Sequence, residues 1–179
     1  MDINIFEINI SILNSGEEYG GAHMVKYLVM DVDGTLTDGK IYMGNEGEIM
    51  KAFSIKDGCG IHDIAIPAGI VPVIITGRKS KILENRCAEI GITEIYQGIS
   101  NKVKKLKTVT DDLKNVAYIG DDINDLSAMT IIKESGGIIG CPKDAAISVI
   151  ELAAFISSHN GGDGAVREFI EWLVRDENK

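Results

Sequence analysis

The stretch Tyr27-Leu28-Val29-Met30-Asp31-Val32-Asp33-Gly34-Thr35-Leu36-Thr37-Asp38-Gly39 decides how this chain is read. An apolar strand runs into two carboxylates spaced two apart, then into a glycine turn and a hydroxyl. Side chains at i and i+2 of a strand point to the same side, so Asp31 and Asp33 sit together where the strand stops. Like charges that close repel, and a cation, a shared proton or both must hold them. Such a pair suits phosphoryl transfer: one carboxylate attacks, a hard metal ion neutralises the phosphate, and the other carboxylate moves a proton. Two plainer readings compete. An EF-hand loop counted from Asp31 requires glycine and glutamate where this sequence has Leu36 and Tyr42, and its preceding segment would be a helix. A helix cap and turn, which Asp, Gly and Thr often build, stays open on this stretch alone.

Outward from that stretch the pattern alternates. Strand-like runs fall at 26–31, 71–76, 94–97, 116–119 and 137–140, with a weaker one near 153–157. Helical stretches lie near 57–69, 79–90, 101–113, 123–134, 143–150 and 164–175. This predicts an α/β fold: a doubly wound parallel sheet, Rossmann-like, with helices on both faces and right-handed crossovers. Residues 40–53 break the alternation. Lys40-Ile41-Tyr42-Met43 and Glu48-Ile49-Met50-Lys51-Ala52-Phe53 flank Gly44-Asn45-Glu46-Gly47, a β-hairpin signal with a four-residue loop. This hairpin is a small flap beside the acidic pair, far too short to be a domain. Residues 1–23 read as an N-terminal extension, either an extra edge strand or a segment upstream of a start at Met24, and 24–179 as one domain.

The chain has 179 residues, which suits a single core burying roughly 70% of the unfolded surface. Its net charge of −9 makes nucleic acid and anionic membranes poor partners. Positive groups must therefore be concentrated wherever an anionic substrate binds. Cys59, Cys87 and Cys141 are widely spaced with no C-x-x-C, as in a reducing compartment. No apolar run approaches the ~20 residues of a membrane helix, and Met1-Asp2 opens no basic signal region. The expected location is the cytoplasm.

In an open parallel sheet, sites form outside the carboxyl ends of the strands. Three further motifs fall there. Val73-Ile74-Ile75-Thr76-Gly77-Arg78-Lys79-Ser80 places a hydroxyl and the backbone N–H groups of a helix start where they can hold phosphate oxygens. Gln97-Gly98-Ile99-Ser100-Asn101-Lys102 opens a helix whose apolar stripe is Val103, Leu106, Val109 and Leu113. Lys104, Lys105 and Lys107 read as a solvated charge run, whereas Lys102 lies at the sheet edge and can neutralise carboxylates and a phosphate. Val116-Ala117-Tyr118-Ile119-Gly120-Asp121-Asp122-Ile123-Asn124-Asp125 again ends a strand in carboxylates. Asp31, Asp121, a backbone carbonyl and waters satisfy the octahedral oxygen shell of magnesium. Asp122 and Asp125 can instead cap the following helix. His23, His62 and His159 form no ligand spacing.

Together these motifs, over about residues 26–175, resemble the haloacid dehalogenase superfamily of aspartate-nucleophile phosphatases. The resemblance implies Asp31 as nucleophile and Asp33 as acid/base, with the Asp33 backbone carbonyl also on magnesium. It implies Thr76 and Lys102 as phosphate-binding and charge-balancing groups, and Asp121 as the remaining metal carboxylate, with Asp122 and Asp125 behind it. Gly34, Thr35 and Gly77 are expected at the substrate.

Members of that superfamily differ in cap domains, and neither gap between motifs has room for one here. Thr37-Asp38-Gly39-Lys40-Ile41-Tyr42, Phe53-Ser54-Ile55-Lys56-Asp57-Gly58-Cys59-Gly60-Ile61 and Gly161-Gly162-Asp163-Gly164-Ala165-Val166-Arg167-Glu168 are similar to the capless branch that includes 3-deoxy-D-manno-octulosonate 8-phosphate phosphatase. That branch also holds phosphatases of nine-carbon sialic-type acid 9-phosphates and C-terminal domains of some cytidylyltransferases. It implies a sugar phosphate substrate, a homotetramer built through the hairpins, and a neighbour's C-terminal segment near the site. Arg78 and Arg167 resemble the eight-carbon enzymes, and two cationic groups suit a substrate that carries a carboxylate besides its phosphate. Asn124 and Gly140-Cys141-Pro142-Lys143-Asp144-Ala145 depart from those enzymes, and Asn124 resembles the nine-carbon ones. Competing readings are a receiver-like signalling domain, which lacks a counterpart of Asp33, a non-catalytic oligomerisation domain, and a phosphomutase, which needs a cap to exclude water.

Overall fold

The computed structural model describes residues 25–176. The expectations for residues 1–23 lie outside the described residues. Among the described residues eight strands and six α-helices follow one another: β1 Tyr27–Met30, β2 Tyr42–Gly44, β3 Gly47–Met50, α1 Ile55–Cys59, β4 Val71–Ile75, α2 Lys81–Glu89, β5 Glu94–Tyr96, α3 Lys102–Val109, β6 Val116–Ile119, α4 Leu126–Glu134, β7 Ile138–Cys141, α5 Ile147–Leu152, β8 Phe155–Ile156 and α6 Ala165–Asp176. Six strands form one sheet in the order β5-β4-β1-β6-β7-β8, every pairing parallel. β2 and β3 pair antiparallel as a separate hairpin. No cap domain stands among the described residues.

The sheet is buried on both faces, which is why its strands read as near-continuous apolar runs. Within β1, Leu28 and Met30 enter one core with Ile74, Ile119, Phe169 and Ile170, while Val29 enters the other with Val73, Tyr118, Leu106 and Met129. Helix α6 seals the first face: Val166, Phe169, Ile170 and Leu173 are buried, and Phe155 packs on Phe169 and Trp172 with ring centroids 5.3 and 5.2 Å apart. Gly140 makes room for the Phe169 ring, since an added Cβ would meet it at 2.8 Å.

Element boundaries moved most clearly in four places. The helix expected at 57–69 starts at Ile55, capped by Ser54, and widens into a π-helical turn over Gly60–Ala65. The helix at 101–113 stops at Val109, and Leu113 belongs to a short 3-10 turn, Leu113–Asn115. The helix at 143–150 forms only over Ile147–Leu152, because the chain after Pro142 turns before it can coil. The four-residue hairpin loop is a two-residue turn at Asn45-Glu46, since Gly44 and Gly47 pair.

Candidate active site

β1 lies at the centre of the sheet, flanked by β4 and β6. The three strands end side by side, and the carboxylates that follow β1 and β6 meet there. Asp31 follows β1, Thr76 follows β4 and Asp121 follows β6. The Asp31 N–H donates to the Ile119 carbonyl at 3.1 Å, fixing the start of the loop after β1 against β6. The Thr76 backbone is committed to the fold: its N–H donates to the Tyr96 carbonyl and its own carbonyl accepts from Ile99 N–H, both at 3.0 Å. Its side chain is buried at the end of the strand.

Lys102 is the first residue of α3, where Asn101 caps the helix by accepting from Lys104 N–H at 2.8 Å. A cation at a helix N-terminus opposes the helix dipole, so local stability does not explain the lysine. Its partners do. The Lys102 ammonium lies 2.9 Å from Asp31 Oδ1 and donates to Asp125 Oδ1 at 2.6 Å. Burial alone would push this lysine down, but the Asp31 and Asp125 carboxylates raise it above its usual value.

Asp125 sits at the centre of the support. It is fully buried and every lone-pair direction is used: Oδ1 accepts from Lys102 and from the Tyr118 hydroxyl at 2.7 Å, Oδ2 from the backbone N–H groups of Asp121 and Asp122 at 3.2 and 3.4 Å. The sequence offered Asp125 as a helix cap. Instead its carboxylate turns back and folds the 121–125 loop around itself, making no side-chain cap bond to α4. Asp122 is exposed, and its carboxylate accepts from the neighbouring Ile123 N–H at 2.8 Å.

The glycine after the acidic pair has a steric reason. Gly34 has φ +97°, and a Cβ there would stand 2.0 Å from Asp121 Oδ2. Only glycine lets the loop after β1 pass this close to the Asp121 carboxylate. Thr35, expected at the substrate, is wholly buried and donates its hydroxyl to Asp121 Oδ1 at 2.8 Å. In this position it orients a carboxylate. The Gly161–Gly164 turn braces the same loop: Gly162 N–H donates to the Thr35 carbonyl at 2.9 Å, and a Cβ on Gly161 would stand 1.8 Å from the Gly34 carbonyl oxygen. Buried Asp57 anchors that turn by accepting from Gly164 N–H at 3.3 Å and Arg167 N–H at 2.8 Å.

Asp31, Asp121 and Asp125 each offer an oxygen within 4.8 Å of the others. Three carboxylates against the Lys102 ammonium leave two formal negative charges in excess. Burial first, then the Asp125 charge, pushes Asp31 up to about 6 despite Lys102. Burial, then repulsion from Asp31, Asp125 and Asp122, pushes Asp121 up to about 7 against the hydrogen bond from Thr35. Asp31 Oδ1 is buried against the Lys102 ammonium, 2.9 Å away. Two buried carboxylates that resist ionisation and an all-oxygen donor set fit a hard divalent cation such as magnesium. With Asp125 saturated by its own partners, Asp31 and Asp121 are the carboxylates open to it.

On the other side of the loop, Lys51 and Glu48 come in from the hairpin. The Lys51 ammonium contacts Asp33 Oδ1 and lies 3.2 Å from Glu48 Oε1. Arg78 Nη2 donates to Glu48 Oε1 at 3.1 Å, its Nε lies 3.9 Å from Asp33 Oδ2, and Gly77 beside it is exposed. Sequence reasoning missed Lys51, Glu48 and Asp57. Arg167 is not brought to the acidic cluster of its own chain; its guanidinium pairs with Glu171 at 2.6 Å on the outer side of α6.

This arrangement matches known proteins. No family model matches the chain. The 3-deoxy-D-manno-octulosonate 8-phosphate phosphatase KdsC of Escherichia coli (strain K12) is 42% identical over 169 residues, covering 92% of this chain and 87% of that protein. The chain belongs to the 3-deoxy-D-manno-octulosonate 8-phosphate phosphatase family. That places it in the haloacid dehalogenase superfamily. The crystal structure of the Moraxella catarrhalis 3-deoxy-D-manno-octulosonate 8-phosphate phosphatase, in complex with a magnesium ion, a phosphate ion and KDO, superposes with TM-score 0.80 at 36% identity over 88% of this chain and 90% of that one. The phosphatase structure from Yersinia pestis gives TM-score 0.79 at 40% identity, over 88% of this chain and 85% of its own.

Proposed function

We propose that the chain is a magnesium-dependent phosphoric monoester hydrolase that removes phosphate from 3-deoxy-D-manno-octulosonate 8-phosphate. The observation that carries this is the strand-end cluster of Asp31, Lys102 and Asp121 in a chain of this family. Asp31 attacks phosphorus in line, forming an aspartyl-phosphate as the bond to the sugar oxygen breaks. Asp33 gives its proton to that oxygen, then takes one from the water that cleaves the aspartyl-phosphate. Lys102 and the Thr76 hydroxyl hold phosphate oxygens, with Gly77 offering backbone. Lys102 also keeps the Asp31 carboxylate charged and aimed. Thr35 and Asp125 fix Asp121 and the loop, and Asp122 closes a turn beside them. Magnesium, bound by Asp31, Asp121 and the Asp33 backbone carbonyl, supplies charge neutralisation at the phosphate.

Arg78, on the open side of the site, suits the carboxylate of a 2-keto-acid sugar, because a guanidinium pairs with it bidentately. With no cap over the site among the described residues, water exclusion falls to neighbouring subunits. The hairpin exposes Ile41, Met43, Ile49 and Met50, at 55, 59, 66 and 48%. That supports a homotetramer with hairpins packed together and Arg167 of one subunit near the site of the next. Free Cys59, Cys87 and Cys141 suit a cytoplasmic location, and no helix among the described residues is long and apolar enough to cross a membrane. Asn124, exposed beside Asp125, favours a second reading with a nine-carbon 9-phosphate as substrate. Phosphate release across eight- and nine-carbon 2-keto-acid phosphates decides between them. The eight-carbon ester is expected to give the highest kcat/KM; no release from any member in the presence of magnesium refutes the assignment.

A further inference from the structure

Lys51 is a buried charge that the reaction above does not use. It follows β3 directly, and its side chain is 2% exposed. Its apolar neighbours Ile49 and Met50 face outward. A hairpin that turns its apolar side chains out and its lysine in inverts the usual pattern. Burying an ammonium is costly unless it is paired, and this one contacts both Asp33 Oδ1 and Glu48 Oε1. Glu48 is itself held to the scaffold, by Arg78 Nη2 and by the hydroxyl of Ser80, the residue that caps α2. Lys51 is therefore fixed relative to the end of β4, and it presents its ammonium to one oxygen of Asp33.

A carboxyl group that gives a proton to a leaving oxygen and later takes one from water must present the same oxygen at a fixed angle twice per cycle. Asp33 sits on a loop and is 21% exposed. Among the described residues its carboxylate makes no hydrogen bond other than that from Lys51, with Arg78 Nε standing off at 3.9 Å from Oδ2. Without Lys51 the side chain is free to change rotamer.

We propose that Lys51 is a positioning residue for the acid–base step: by holding Oδ1 of Asp33 it leaves Oδ2, correctly placed, to carry the proton. The inference rests on Asp33 being the acid/base. In that step the Oδ2–H bond breaks as the proton joins the departing oxygen, while the bond from that oxygen to phosphorus breaks and the bond from Asp31 to phosphorus forms. The same contact fastens the hairpin to the catalytic loop, so the seating of the flap is felt at the acid.

Two aryl esters test this. Phenyl phosphate and 4-nitrophenyl phosphate are similar in shape and carry no carboxylate, but phenolate needs a proton to leave and 4-nitrophenolate leaves with little help. kcat/KM, which reports formation of the aspartyl-phosphate, is measured for both with saturating magnesium on the parent, Lys51→Met, Lys51→Arg and Asp33→Asn. Lys51→Met is expected to lose about tenfold more on phenyl phosphate than on 4-nitrophenyl phosphate, within the span of acid–base contributions. Lys51→Arg should recover most of that imbalance, and Asp33→Asn should show a larger one. Equal losses on the two esters in Lys51→Met, with imbalance in Asp33→Asn, overturn the proposal and leave the role of Asp33 standing. Equal losses in Asp33→Asn overturn the acid/base reading itself. If circular dichroism shows Lys51→Met unfolded, the double variant Lys51→Met/Glu48→Gln, which removes both charges of the hairpin pair, takes the same test under the same criteria.

Discussion

Asp121→Asn should make the magnesium-free protein more stable while abolishing the stabilisation that magnesium brings. Burial, with repulsion from Asp31, Asp125 and Asp122, raises the Asp121 carboxyl from 3.8 to about 7. A carboxyl with a folded-state pKa above its unfolded value binds more protons when folded. Its contribution to stability therefore falls as pH rises past the unfolded value, and the loss is complete above the folded one. Here the loss begins near pH 4 and is full above pH 7. At about 1.4 kcal/mol per pH unit the span corresponds to at most ~4 kcal/mol. The partial exposure of this side chain brings that to an order of 1–3 kcal/mol. Asparagine removes the charge and keeps an acceptor for the Thr35 hydroxyl. At pH 8 with chelator, the variant should melt roughly 2–10 °C above the parent for a chain of this size, and the gap should close by pH 4.5. Saturating magnesium should reverse the order, because the bound state stabilises only the chain that holds the ion. Scanning calorimetry between pH 4.5 and 8, with and without magnesium, reads all of this. A parent as stable as the variant at pH 8 in chelator would refute the strained-cluster argument. An undiminished magnesium shift in the variant would remove Asp121 from the metal site.

Gly34→Ala places a Cβ on Asp121 and a side chain at φ +97°; it should cost about 1–2 kcal/mol in backbone strain alone and weaken magnesium binding in calorimetric titration. Met43→Ser with Ile49→Ser should convert a tetramer to smaller species in sedimentation, at little cost to monomer melting, since both side chains are exposed. Arg167→Ala should raise KM for the 2-keto-acid sugar phosphate and hardly alter 4-nitrophenyl phosphate turnover; equal effects on both would place Arg167 outside substrate recognition. Deleting residues 161–179 is no substitute for that variant. It removes Val166, Phe169, Ile170 and Leu173 from the core, and the Gly162 brace from the catalytic loop, so it should abolish folding.

The strand ends were legible because periodicity two and apolar runs are local signals, and a parallel sheet carries its site at one edge whatever its details. Asp31, Thr76 and Asp121 were placed at strand ends that way, and Lys102 at a helix start beside them. Asp125 was expected behind Asp121, with a helix cap as the alternative; the sequence could not choose, because a carboxylate near a helix start looks alike whether it bonds forward to the helix or back to its own loop. Lys51 was invisible: a hairpin that exposes Ile49 and buries its lysine contradicts binary patterning, and the contact with Asp33 spans 18 positions of chain. Asp57 was hidden likewise, its partner Arg167 N–H lying 110 positions away. Thr35 stood in the right motif, but its hydroxyl could be assigned to Asp121 only once Gly34 was seen to let the two loops touch.

The claim on which the rest depends is that Asp31 becomes phosphorylated. Protein, magnesium and 3-deoxy-D-manno-octulosonate 8-phosphate are mixed, quenched in acid within milliseconds and reduced with borohydride, which converts a phosphorylated aspartate to homoserine. Peptide mass spectrometry then locates the change. The account predicts homoserine at position 31 and nowhere else, absent when substrate is omitted. Homoserine at the position of Asp33 or Asp121, or none while phosphate is released in a full first turnover, would contradict it.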